Sequence, residues 1–289
     1  MGLGAGCRKA KFITDASIGG IVNVLILVVT PCLVIDCFQR PFDPSTLGSL
    51  SLAFGICVAV HLVAVALAYL LVRHKAAGTR KVMQLSTVFS NAGFMGIPLE
   101  QAVLGDAGVF YGIVYVVTFN LVIWSWGYWV MGGRPRLRML LVNPGTIGIA
   151  LGLPLFLLSI RLPEVLGTPV KLMSGLNTPL AMIVIGYGLA GARLGPVVRM
   201  PSAYVATALR LLACPLLLIA ALHPFHAQLE RPMTLALVTA ASAPVAAMVS
   251  MFATRFGRDV DASVGMVSGT TLLSAVTMPA VIALAMRFL

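Results

Sequence analysis

The chain has 289 residues, 59% of them apolar and 10% charged, with a mean hydropathy of +0.99. A polar shell for a water-soluble globule cannot be assembled from that inventory, so the protein is integral to a membrane. The net charge of +11 would suit nucleic acid in a soluble chain, but here the Lys and Arg stand singly or in short clusters between apolar runs. They read as topology signals, and no nucleic-acid partner is expected.

Nine apolar segments follow one another, at roughly 17–38, 47–72, 82–104, 109–131, 144–160, 165–190, 202–222, 233–253 and 262–288. Runs near ~20 residues are long enough to cross a bilayer. In hydrocarbon their amides need partners within the segment, which predicts helices; the alternation that a membrane β-barrel requires is absent. The fold class is therefore an all-α polytopic membrane protein.

Fourteen of the 20 Lys and Arg fall on one side when the connecting loops are assigned alternately. They include the clusters Arg8-Lys9, Arg73 to Lys81 and Arg134-Arg136-Arg138. That side is expected to be cytoplasmic, which places the Arg134–Arg138 loop inside and the C-terminus outside a cell membrane. The five cysteines have no paired spacing, four of them lie within apolar runs, and they read as free thiols.

An internal repeat emerges when the segments are aligned by their interruptions. Thr30-Pro31 returns as Thr178-Pro179, and Asn91-Ala92 with Gly105 returns as Ala243-Pro244 with Gly257. Segments one to four thus pair with six to nine, and because they start on opposite sides the two repeats are inverted. The third segment is broken at Ser90-Asn91-Ala-Gly93-Phe-Met-Gly96-Ile-Pro98, the eighth at Ser242-Ala-Pro244. Mid-span breaks are tolerated only against protein or a wet cavity. Two broken helices from opposite repeats should cross, aiming partly positive helix N-termini at a central site suited to an anion.

These residues resemble the auxin efflux carrier family, the plant PIN-formed carriers and their bacterial relatives. The likeness runs through Ser90–Leu99, Asn143-Pro144, Pro179–Gly186, Leu209–Pro215 and Ala243-Pro244 with Phe252-Ala253. It implies a ten-helix inverted-repeat carrier, with a scaffold made from helices one, two, six and seven and a mobile transport domain made from the rest. The resemblance further implies a homodimer and an organic-anion cargo such as auxin or a dicarboxylate. Residues 4–15 look like the end of the family's first helix and its linker, so nine helices and a stub are expected here, with the missing helix upstream of Met1 or lost. Plant carriers place proline before the crossover asparagine, whereas this chain has Ser90.

The domain reading is a helix remnant and linker at 1–15, a first repeat at 16–131 with its crossover helix at 81–104, a loop at 132–143, and a second repeat at 144–289 with its crossover helix at 232–255. Substrate binding is assigned to Asn91, Ser90, Gly93, Pro98, Ser242, Pro244 and Val245. Asn91 can bind cargo through its amide or cap the second half of its broken helix. Gly93 and Gly96 can admit cargo to the backbone or let helices pack closely.

Asp36, Arg210 and Glu100 are candidates for coupling or for attracting the anion. Asp36 alternatively sits at the membrane interface, Arg210 alternatively snorkels to the surface, and Glu100 faces either a cavity or the outer surface. Trp124, Trp126, Tyr128 and Trp129 read as an interfacial belt, and Asp259 as the cap of the last helix. The four histidines lack metal-site spacing, no nucleophile-and-base arrangement stands out, and neither a cofactor nor enzyme activity is expected. The function is a secondary carrier of a small organic anion with elevator-type alternating access. The alternatives are a sodium- or proton-coupled symporter like the bile-acid carriers, and a membrane sensor or assembly subunit without flux.

Overall fold

The computed structural model describes residues 1–136, 144–191 and 194–289. The readings at Arg138, Asn143 and Arg193 lie outside the described residues. Among those described the secondary structure is helical, apart from one isolated antiparallel bridge between Ser90 and Val245.

The first half comprises α1 (Gly2–Lys9), α2 (Asp15–Val24), α3 (Thr30–Cys37), α4 (Pro44–Leu71), α5 (Ala77–Val88), α6 (Ile97–Val122) and α7 (Tyr128–Met131). Single π-turns at Leu25–Val29, Ala92–Gly96 and Ile123–Gly127 join several of these. The second half comprises α8 (Pro144–Leu157), α9 (Glu164–Gly175), α10 (Asn177–Ala190), α11 (Pro201–Ala208), α12 (Cys214–Leu222), α13 (Arg231–Ser242), α14 (Met248–Arg255) and α15 (Val260–Phe288). Another π-turn, Leu209–Ala213, links α11 to α12.

Six helical stretches among the described residues are long and apolar enough to span a membrane: Asp15–Cys37, Thr46–Leu71, Ala92–Met131, Glu164–Ala190, Pro201–Phe225 and Val260–Phe288. The other segments read from the sequence are accounted for locally. Segment 144–160 is the short α8, and segments 82–104 and 233–253 are the broken ones. Part of the former runs on into segment 109–131, because the chain turns at Gly105 without leaving its helical element.

Gly105 has φ +65°, and Gly257, between α14 and α15, has φ +57°. Both positions need the left-handed backbone that glycine adopts without steric cost. The offset that relates the broken helices thus also relates the turns that follow them. This is the two-repeat architecture with crossing broken helices expected from the interruptions.

Two compact units can be distinguished, each drawing on both halves of the chain. One consists of Met1–Ser51 and Leu137–Gly191, the stretches that the resemblance assigns to a scaffold. Within it α1 lies along α10 at a glycine seam, with Gly4 against Ile183 and Gly186 against Met1. Arg8 Nη1 donates to the Tyr187 carbonyl at 3.0 Å, and the Tyr187 hydroxyl donates to Asp15 Oδ1 at 2.7 Å. Likewise α3 packs on α8, where a methyl added at Gly148 would meet Val34 Cβ at 2.8 Å. Small residues at such contacts let backbones approach, and this packing drives helix association in lipid.

The other unit consists of Leu52–Arg136 and Ala192–Leu289, and it contains both broken helices. Its core lies where α13 packs against α6 and α15. Every residue of α13 from Met233 to Ser242 is buried, as is α5 from Val82 to Val88. An aromatic group formed by Trp124, Tyr128, Phe252 and Phe256 joins α14 to the end of the first repeat, and Phe89 contacts Trp126 and Phe119. Of the four residues read as an interfacial belt, Tyr128 is buried, Trp124 and Trp126 are half-buried, and Trp129 is 60% exposed. The last helix begins as expected, with Asp259 Oδ1 accepting from the Ala262 amide at 3.0 Å.

Candidate functional site

Both broken helices stop before a short extended stretch. α5 ends at Val88 and α13 at Ser242, and residues 89–91 then run antiparallel to residues 244–246. The Asn91 amide donates to the Pro244 carbonyl at 2.6 Å, and the Ala246 amide donates to the Phe89 carbonyl at 2.9 Å. Each break thereby satisfies backbone groups that the other would strand in the membrane interior. The proline supplies the carbonyl and has no amide of its own to strand. The Val245 amide is taken up by Thr270 Oγ1 of α15 at 3.1 Å.

Beyond the crossing both chains resume helical geometry. The Asn91 carbonyl accepts from the Met95 and Gly96 amides at 3.0 and 3.3 Å, so Asn91 starts the second half-helix through its backbone. Its side chain makes no capping bond and has no hydrogen-bond partner among the described residues. At 9% exposure the Asn91 amide is nearly enclosed but reachable. The crossing thus presents a free carboxamide and the amide-rich start of a helix side by side.

The other residues assigned to the site distribute as follows. Ser90 is buried beside Asn91, with its hydroxyl facing that of Tyr115. Gly93 faces open space, since a methyl added there would meet nothing within 4 Å. Gly96 packs closely, its added methyl falling 3.5 Å from Ala240 Cα and 3.4 Å from Glu100 Oε1. Pro98 is the second residue of α6, directly after the π-turn at Ala92–Gly96, and its missing amide leaves a carbonyl of that turn without its helical donor. Ser242 is buried and donates to the Thr239 carbonyl at 2.8 Å, while Val245 is buried in the bridge to Ser90.

Arg210 is 1% exposed and lies on the π-turn between α11 and α12. Its Nη1 donates to the Thr87 and Val88 carbonyls at 3.1 and 2.9 Å, and its Nη2 donates to the Ala241 carbonyl. Those carbonyls belong to the last turns of α5 and α13. One guanidinium therefore caps the negative ends of both broken helices at once.

Glu100 is fully buried, and neither carboxyl oxygen has a hydrogen-bond partner among the described residues. The carboxyl fits between Gly96 and Gly112, where an added methyl at either glycine would be blocked or tightly pressed. Asp36 is half-buried on α3 and belongs to the other unit.

Sequence reasoning missed Thr270, His61 and Tyr115. Thr270 is one of several hydroxyl residues on α15, a density that offers a weak signal but no address. His61 holds the Cys57 carbonyl through Nδ1 at 2.7 Å, while its buried Nε2 has no partner among the described residues. Its ring lies 5.0 Å from that of Tyr115, whose buried hydroxyl faces that of Ser90. Buried groups with unused bonding capacity are exceptional in folded proteins. No group of three or more His, Cys, Asp or Glu able to hold a metal occurs among the described residues.

Broken helices from two inverted repeats, exchanging backbone bonds inside an otherwise apolar helical protein, define the class of polytopic membrane transporters. A family described as "Membrane transport protein" matches residues 1–136 and 135–282, two stretches that part at the loop between the repeats. The chain belongs to this family, the auxin efflux carrier group to which residues 90–99 pointed. A curated relative from Methanothermobacter thermautotrophicus (strain Delta H), described as "Uncharacterized transporter", is 27% identical over 272 residues. That alignment covers 89% of this chain and 85% of the relative.

Proposed function

We propose that this transporter is a secondary carrier of a small organic anion, an auxin-like acid or a dicarboxylate, bound where residues 89–91 cross residues 244–246. The observation that carries the reading is Asn91, a nearly enclosed residue whose carboxamide has no hydrogen-bond partner among the described residues, at the start of a half-helix. A carboxylate there accepts from the side-chain amide and lies against the positive end of a helix dipole. Open space at Gly93 lets cargo reach the backbone. Ser90, Pro98, Ser242, Pro244 and Val245 shape and hold the crossing. Alternating access follows elevator-type motion of the unit holding Leu52–Arg136 and Ala192–Leu289 against the other. The protein works as a homodimer in the cell membrane, with the Arg134–Arg138 loop in the cytoplasm and the C-terminus outside.

The test is uptake of candidate organic anions into sealed vesicles that contain the purified protein. Saturable flux of at least one carboxylate supports the reading; ligand binding with no flux for any of them identifies a sensor or assembly subunit instead.

A second reading, coupled symport, is favoured by Glu100. A buried carboxyl with no hydrogen-bond partner among the described residues suits a group that exchanges a proton during transport. Dependence of flux on a proton gradient supports this version, dependence on sodium alone supports a sodium symporter, and indifference to both leaves the uncoupled carrier.

A further inference from the structure

A cavity of about 920 Å³ lies at one end of the unit that holds the crossing. It is bounded by the end of α4, the loop after it, the first turns of α5 and the end of α7. Arg73, Lys75, Arg80 and Lys81 line it, with the buried Gln84 behind them. None of these four cations has a carboxylate partner among the described residues. The nearby Asp259 is already engaged, accepting from the Thr79 hydroxyl at 2.7 Å and from the Ala262 amide.

The depth of this cavity in the bilayer can be read from the chain. Its lining begins where the apolar stretch Thr46–Leu71 ends, and reaches the last residues of the stretch Ala92–Met131. Span ends lie at the level of lipid headgroups. Two aromatic side chains on its rim, Tyr69 and Trp129, are 48% and 60% exposed. Leu70 and Leu71 beside them are exposed as well, so the rim is continuous with an apolar, lipid-facing surface.

We propose that this cavity binds the phosphate headgroup of an anionic phospholipid, with the acyl chains lying along Tyr69, Leu70, Leu71 and Trp129. Uncompensated cations inside match the phosphate, and the apolar rim matches a ligand that carries hydrocarbon tails. Basic pockets at span ends with this combination recognise anionic lipids. Free phosphate shares the headgroup's charge but makes no use of the rim. Burial, together with Arg258 and Arg80 nearby, lowers the proton affinity of Lys81 below that of an ordinary lysine. A bound anion relieves that repulsion.

Native mass spectrometry of the full chain in non-ionic detergent, with equimolar phosphatidylglycerol and phosphatidylcholine, tests this directly. The wild type is expected to retain phosphatidylglycerol selectively. Arg80→Gln should lower its retention about fivefold, and Arg73→Gln, Lys75→Gln and Arg80→Gln together roughly a hundredfold. These three side chains are exposed, so their replacement leaves the core intact. Lys171→Gln, in the other unit, controls for net charge and should change nothing. Equal retention of the two lipids, or undiminished phosphatidylglycerol on the triple variant, overturns the proposal. Displacement of the lipid by inorganic phosphate alone overturns it too, by showing a site for free phosphate. Should the triple variant be misfolded, Arg80→Gln decides the outcome by itself.

Discussion

Replacing Arg210 tests whether the crossing is held by a charge at the ends of both broken helices. Arg210→Met keeps an unbranched side chain of similar length but removes the bonds to the Thr87, Val88 and Ala241 carbonyls. All three of those residues are buried, so water cannot substitute as acceptors' partner. A buried polar group left unsatisfied costs ~1–3 kcal/mol, which for three carbonyls sums to about 3–9 kcal/mol. Against this stands the relief of no longer burying a guanidinium whose Nε has no partner among the described residues. The net expectation is a loss of about 3–5 kcal/mol, the range found when one side of a buried charged interaction is removed. Equilibrium unfolding in mixed micelles reads this out, with the exposed Arg287→Met as the control for charge. Stability of Arg210→Met within about 0.5 kcal/mol of wild type would refute the capping role.

Gly112→Ala drives a methyl into the Glu100 carboxyl and should cost ~1–3 kcal/mol as an overpacked contact. Adding Glu100→Ala opens the space, so the double variant should recover much of that loss; strictly additive effects in a double-mutant cycle would show that the two do not touch. Lys81 gives a pH signature. Its folded-state proton affinity lies below the ordinary lysine value, so the unfolded chain binds more protons as pH rises towards that range. Stability should therefore increase on the alkaline approach to the ordinary lysine pKa, and Lys81→Gln should remove this increase; an unchanged profile in the variant would contradict the assignment.

Much of the fold is legible because glycine, proline and asparagine mark places where a helix cannot continue. Gly105 and Gly257 repeat at the offset of the breaks, and both carry the positive φ that glycine alone adopts freely. Asn91 and Pro244 likewise announce the two interruptions that meet through backbone bonds. Long-range pairing is less legible. Nothing near Arg210 in sequence reveals that its guanidinium reaches carbonyls 122 and 123 residues earlier and 31 residues later.

The orientation of Glu100 was open in the sequence because helical phase alone gave it two faces. The structure resolves it through room made by Gly96 and Gly112, of which the second lies a full segment further along. Composition marks Trp and Tyr as suited to an interface, but Phe252 and Phe256, contributed by the other repeat, draw Tyr128 and Trp124 inward.

The central claim is that cargo binds at the crossing through the Asn91 side chain. Asn91→Ala removes that carboxamide and leaves the backbone bonds to Pro244, Met95 and Gly96 in place. A lost hydrogen bond to a charged ligand is worth ~1.5–3 kcal/mol, or about a tenfold to hundredfold fall in kcat/KM. The deciding measurement is the initial uptake rate of a confirmed carboxylate substrate into sealed vesicles, at matched amounts of folded wild-type and Asn91→Ala protein. A fall of that size is the predicted result, and an unchanged rate would contradict the account.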